Sequence, residues 1–457
     1  MDILIFGLFL VITLFVGLGY GRQVSNIRDY ALGGKNFTTS TLIATVMATR
    51  ASGSLFFMEL ENSYTNGLYL FIAVLGLPLG TWVLGQLAMR MQEFMHHVSV
   101  AEAMSSMYGR TVQIITACSC ILGKAGYVAV QFKVIAKVLE VTFDVEGTLG
   151  TYLAAVTVIA YSSFGGVKAV TFTDVFQLLV FGLALPSLAF IVWKGVQLPA
   201  AFAWTAHPHH DLRQVMSWDN KLFFAMGLFS YLAIPGFSPS IFQRIAMARN
   251  IRQARRAFNC AAGCLFLMLC ITSGIAFLLL MEQPGLAKAQ VFPYLISKCT
   301  FVGLKGLLGA GVIAMAMSTA DSCLNALSVI FANDLVKPLT NKAQASVKTA
   351  QTFSVVVGGG ALLLALHSQD ILKLLLFSGS FYRPIFTVPM LLAVLGFRTS
   401  TRAVLLSMAA GFATVVVWSF AFTNASSIVP GMVANLVVLL STHYLWGRLG
   451  GGQNTIP

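Results

Sequence analysis

Apolar runs of about twenty residues alternate along the chain with short polar connections, and they can be marked off at 2–20, 38–58, 67–92, 112–139, 148–164, 167–193, 219–243, 253–281, 304–333, 346–366, 369–395, 401–422 and 427–447. That length is what an α-helix needs to cross the hydrocarbon of a bilayer. The pattern therefore predicts an all-α polytopic membrane protein of about 13 transmembrane helices. The polar stretches are short, the longest lying around 195–218 and 282–303, and Gln290 to Cys299 predicts a short surface helix in the second. Residues 1–457 thus read as a single membrane domain.

Two of the runs resist a continuous helix. The second, TLIATVMATRASGSLFFMEL, gathers Thr, Ser and Gly at its centre, and the seventh, FSYLAIPGFSPSIFQR, holds Pro235, Gly236 and Pro239. Proline removes a donor and glycine adds backbone freedom, so both are expected to unwind near mid-membrane. They stand five spans apart. Broken helices at matching places in two halves point to an inverted-repeat transporter whose site lies between them.

Composition supports a membrane class: 57% of residues are hydrophobic and 10% charged, against roughly 25% charged in soluble chains. The net charge of +13 is read as lysine and arginine on cytoplasmic loops and not as a nucleic-acid surface. If the loop after the first span is cytoplasmic, its set of loops holds 17 such residues, Arg244, Arg249, Arg252, Arg255 and Arg256 among them, against 9 on the other side. Three more (Arg50, Lys124 and Arg383) fall within spans. This puts the N-terminus outside and the C-terminus in the cytoplasm. The first run lacks a basic start and reads as a span, not a cleavable leader. Seven scattered cysteines without paired spacing read as small core residues. The tract HPHH at 207–210 with Asp211 reads as a solvated loop, not a metal site.

The candidate chemistry sits in the ninth span, which carries Ser318, Thr319, Asp321, Ser322 and Asn325. Oxygen-bearing side chains within hydrocarbon mark a functional site by default, and a hard cation suits such a set; the plainer reading is hydroxyls bonding back to the preceding turn. Asp321 reads as an ion ligand, a proton carrier or a partner of Arg50. Asp174 either lines the ion's exit or caps a helix start after Thr173. Lys124, Tyr127 and Gln131 share a helical face that can look into a central cavity, although a lone lysine can also snorkel. Ser238 in the broken seventh span is a substrate candidate. Phe57 and Tyr231 are candidate gates, and Tyr382 with Arg383, just before Pro384, gates a mouth, contacts solute or packs on helix carbonyls. No nucleophile and base stand together, so no enzyme is expected.

The segments RDYALGGKNF (28–37), ATRASG (48–53), SFGGVKAVTFTDVFQ (163–177), QRIAMARNIRQARRA (243–257) and GLKGLLGAGVIAMAMSTADSCLNALSVIFANDLVKP (303–338) resemble the sodium:solute symporter family, which includes bacterial proline, pantothenate and sialic acid symporters. The resemblance implies a five-plus-five inverted-repeat, leucine-transporter-like core over 38–395, with an extra helix and loop at 1–37 and two extra helices over 396–457. It implies alternating access in the cytoplasmic membrane, with sodium held by the carbonyls of Ala48, Ala51 and Met315 and the hydroxyls of Ser318 and Thr319. A further ion or proton site would fall near Asp174, Asp321 and Ser322. No organic cofactor or protein partner is implied; the partners are the lipid bilayer and a small organic solute, an amino acid such as proline or another carboxylate.

One departure matters. Arg50 stands between two of the carbonyl positions, where proline symporters carry an acidic residue. A guanidinium about 6 Å from sodium repels it by roughly 3 kcal/mol at an effective dielectric of about 20. Either sodium coupling is lost, leaving a proton-coupled carrier or exchanger, or Arg50 turns away to pair with Asp321 or Glu59, or to grip a substrate carboxylate. A symporter-like sensor module is the remaining rival; such modules occur fused to histidine kinases, and no kinase segment is read after Gly452.

Overall fold

The computed structural model describes residues 1–21, 24, 26–195, 220–299, 301–341, 343–368, 374, 378–421 and 426–449. Among these the chain is helical, with no strand. The histidine tract at 207–210 lies outside the described residues. In chain order the helices are α1 (Asp2–Gly21), α2 (Ile27–Leu32), α3 (Thr39–Arg50), α4 (Gly53–Asn66), α5 (Leu68–Val74), α6 (Gly76–Ala88), α7 (Val100–Tyr108), α8 (Arg110–Phe143), α9 (Gly147–Gly195), α10 (Asn220–Ala233), α11 (Pro239–Ala246), α12 (Ile251–Glu282), α13 (Val291–Ser297), α14 (Leu304–Ile330), α15 (Val347–His367), α16 (Val388–Val394), α17 (Thr401–Ala421) and α18 (Ile428–Leu449). Nine stretches among the described residues are long and apolar enough to cross a membrane, and the bent pair α3–α4 makes a tenth. Helix α13 is the short surface helix expected after Gln290, and it buries Phe292 against Phe56 and Phe57.

Helix α9 answers to two of the expected spans. Its 49 residues would measure about 74 Å at 1.5 Å per residue, more than twice a bilayer core of about 30 Å. The break is at Gly166, with φ 59° and ψ −169°. A Cβ there would meet the Tyr30 ring at 2.9 Å and its carbonyl at 3.2 Å. Gly166→Ala is therefore expected to cost about 1–3 kcal/mol through backbone strain and overlap, read as a lowered melting temperature of the purified protein.

Helix α14 is the axis of the molecule. Every residue from Leu308 to Ile330 is buried, against α8, α9, α1, α15, α3, α4 and α11. The perimeter is the reverse: Phe15 is 80% exposed and Phe420 84%. Leu183, Trp193, Leu363 and Val417 also face outward. An apolar girdle of that extent fits lipid, not water. Cys118, Cys260 and Cys264 are exposed, which corrects their reading as core residues: a thiol is apolar enough to face lipid as readily as protein.

The larger correction is Arg244. Counted from sequence among cytoplasmic loop charges, it lies near the end of α11 and is 1% exposed.

Candidate functional site

The unwinding expected in the second span occurs. Helix α3 stops at Arg50, Ala51 takes a non-helical conformation (φ −81°, ψ 76°), and the axis turns by 56° into α4. Ser52 restarts the helix, its Oγ accepting from Leu55 N at 3.1 Å. Gln131 secures the same turn: its Nε2 donates to Ser54 Oγ at 3.1 Å and its Oε1 accepts from Ser54 N at 3.4 Å. The seventh span breaks likewise, with no helix between Ala233 and Pro239 and Ser238 extended.

At the first break, carbonyls in the last turn of α3 have no helical N–H ahead of them. The α14 hydroxyls reach the same place. Ser318 Oγ donates to Ala48 O at 3.1 Å and to Met315 O at 3.0 Å, and Thr319 Oγ1 donates to Met315 O at 3.1 Å. Four of the five expected sodium ligands are thus joined in one chain of hydrogen bonds, from Ala48 O through Ser318 Oγ and Met315 O to Thr319 Oγ1, all buried. Ala51, the fifth, is the buried residue at the break itself.

Beside this cluster lies a cavity of about 80 Å³ walled by both breaks. Arg50, Lys124, Tyr127, Tyr231, Ser238, Tyr382 and Arg383 all line it, and so does Thr319. Arg383 sits on a π-helical turn, Arg383–Thr387, whose Pro384 and Ile385 carbonyls are both taken by Asn435 Nδ2 at 2.7 Å. A second, larger space of about 780 Å³, lined by Phe57, Glu61, Lys133, Lys137 and Lys288 among others, shares Ser54 and Met58 with the first. Phe57 stands on that vestibule, packed on Phe292 and under Lys137.

One turn further along α14, at Ser322, lies a buried ion pair. Arg244 Nη2 donates to Asp174 Oδ2 at 3.1 Å and to Ser322 Oγ at 2.6 Å, and its Nε donates to Thr49 Oγ1 at 3.3 Å. Thr45 Oγ1 also donates to Asp174 Oδ2. Asp321 accepts instead from Tyr161 OH at 2.8 Å.

The model of the sodium:solute symporter family matches residues 30–411. The chain belongs to that family. It is a multi-pass membrane transporter and not an enzyme. It is 23% identical over 365 residues to a putative sodium-dependent multivitamin transporter of Drosophila melanogaster, spanning 60% of that protein's length and 74% of its own. It is 22% identical to the sodium/sialic acid symporter NanT of Aliivibrio fischeri, over 93% of this chain and 88% of that one. Among solved structures it resembles a substrate-bound, outward-open Na⁺-coupled sialic acid symporter with a TM-score of 0.81 at 18% identity, covering 100% and 99% of the two chains. The leucine-transporter-like fold that the resemblance implied is the fold present.

Against that fold the remaining expectations sort themselves. Arg50 pairs with neither Asp321 nor Glu59. Its Nε donates to Thr81 Oγ1 at 3.0 Å and its Nη2 to Leu77 O at 3.3 Å, while Glu59 accepts from Ser273 at 2.9 Å. The guanidinium is turned toward α6 and into the cavity. Asp174 caps no helix start: it lies inside α9 and pairs with Arg244. Gln131 is fully buried outside the cavity lining because its amide serves the α4 turn. Sequence reasoning missed Arg244, Thr45, Thr49 and Tyr161. The available signal for Arg244 was its place only five residues after Pro239, too near a broken mid-membrane helix to be an ordinary loop charge.

Proposed function

We propose that the chain is a sodium-coupled importer of a small carboxylate-bearing solute, working by alternating access as a single transporter domain in the cytoplasmic membrane. The observation that carries this reading is that Thr319 belongs both to the hydroxyl–carbonyl cluster and to the cavity wall. A sodium ion held by Ala48, Ala51, Met315, Ser318 and Thr319 would tie the α3 break to α14 and shape the solute site next to it. Each ligand then raises the other's affinity by the same factor, typically 1–3 kcal/mol. The exposed Arg249, Arg252, Arg255 and Arg256 support the orientation with the Asp174–Arg244 contact on the cytoplasmic side and the N-terminus outside. The wide vestibule then faces outward and the buried ion pair closes the inner path.

Asp174, Asp321 and Ser322 were candidates for a second ion or proton site. The Arg244 guanidinium lies between Asp174 and Ser322, so a tethered cation stands where a second sodium would, and the proposed stoichiometry is one sodium per solute. Among the described residues Asp321 Oδ1 has no hydrogen-bond partner, which favours a proton-coupled cycle as the second reading.

Reconstituted protein separates the two. In proteoliposomes given a panel of labelled carboxylates, an inward sodium gradient should drive accumulation that an equal potassium gradient does not. Accumulation driven by a proton gradient alone would replace this reading with the second.

A further inference from the structure

Three cations line the central cavity, and among the lining residues none is acidic. Among the described residues Arg50 donates to the neutral oxygens of Thr81 and Leu77 and to no carboxylate. Arg383 donates to the Tyr231 carbonyl and, at 3.4 Å, to the Tyr382 hydroxyl, and its guanidinium lies 3.9 Å from the Tyr231 ring centroid. Lys124 is 5% exposed and has no hydrogen-bond acceptor among the described residues; its Nζ lies over the rings of Tyr127 and Tyr382 at 4.4 and 5.2 Å. Elsewhere the buried Arg244 is matched by Asp174 and the half-buried Lys137 by Glu61.

Like charges gathered in a weakly polarisable interior repel one another, and intramembrane charges without a partner mark a ligand pathway. The tyrosine faces offset part of the cost. A bound anion must offset the rest. The charges come from three directions: Arg50 from the end of α3, Lys124 from α8 and Arg383 from the π-helical turn. Two anionic ends can therefore be held at once, the arginine forks suiting carboxylates bidentately. An amino-acid zwitterion would bring its ammonium among three cations already present. The cavity is small, about 80 Å³, so the spacer between the anionic ends must be short.

From this, and resting on the reading of the cavity as the solute site, we infer that the transporter selects a short solute bearing two negative charges and no positive one: a three- or four-carbon dicarboxylate, or a compact inorganic dianion. The solute then supplies charge that the protein lacks, and the sodium ion beside Thr319 binds with less repulsion once the dianion is in place.

The test is thermal unfolding of the purified protein in sodium and, in parallel, in potassium at the same constant ionic strength, titrated with malonate, succinate, inorganic phosphate, sulfate, acetate, propionate and proline. Malonate or succinate is expected to half-saturate at about tenfold lower concentration than acetate or propionate, as one more charge-assisted hydrogen-bonded contact requires, with no shift from proline. Phosphate or sulfate equalling the dicarboxylates would keep the charge class and assign the inorganic source. Lys124→Met and, separately, Arg50→Gln should bring dianion and monoanion toward parity while the melting curve in sodium still reports a folded protein. Acetate or proline binding as tightly as the dianions would overturn the inference. A sodium response without dianion preference leaves the coupling reading intact and removes this one; dianion preference without a sodium response does the reverse.

Discussion

Replacing Arg244 with methionine is expected to destabilise the protein by about 3–5 kcal/mol, because removing one partner of a buried pair strands the other charge. The side chains of Arg244 and Asp174 are both fully buried, and Arg244 Nη2 is also the donor to Ser322. Removing the guanidinium thus leaves Asp174 facing Asp321 across α9 and α14 with only Thr45 donating to it. The cycle isolates the pair: Asp174→Asn added to Arg244→Met should recover most of the loss, since no unpaired charge remains. Chemical or thermal unfolding of the four proteins measures it. Additive losses would mean that the two side chains do not act as a pair.

The second large effect concerns the ion. With Ser318→Ala and Thr319→Ala together, the sodium concentration giving half-maximal uptake in proteoliposomes should rise by about a hundredfold or more, taking each lost contact to a charged group as about 1.5–3 kcal/mol. Folding should lose no more than about 1–3 kcal/mol, the cost of leaving the buried Ala48 carbonyl without Ser318. The other bonds run to a carbonyl three or four residues back in the same helix, local contacts that add little to helix stability. Ser318→Ala alone should be the more damaging single change, because Ser318 reaches both Ala48 and Met315 while Thr319 reaches Met315 only.

How much of this was legible in the chain depends on the kind of signal. Hydropathy marks spans, and proline and glycine mark breaks, so the bends at Ala51 and before Pro239 could be read directly. The buried hydroxyls of α14 stood out in the sequence because oxygen in an apolar helix is conspicuous, and the family resemblance pointed to the carbonyls they are found to bond; their part as sodium ligands belongs to the proposal. Side-chain direction was not legible. Arg50 sits within two residues of Ala48, and its position did not tell that the helix end turns its guanidinium toward Thr81 and Leu77 of α6. Gln131 has the right periodicity for the cavity, but its amide is taken by Ser54. Arg244 was hidden because a charge count treats every arginine near a span end alike, while burial depends on where a broken helix resumes. The gathering of Arg50, Lys124 and Arg383 is likewise a property of three distant elements, visible only once they pack.

The measurement that bears most directly on sodium coupling is the thermal stability of the wild-type protein in sodium against potassium at equal ionic strength, with no solute added. An ion that binds only the folded state stabilises it by mass action, by about 2.7 kcal/mol at a hundredfold excess over its Kd. A melting temperature that is higher in sodium than in potassium is the predicted result. Identical melting in the two salts, with a sodium-specific rise appearing only in Arg50→Gln, would contradict it and show that the arginine has taken the ion's place.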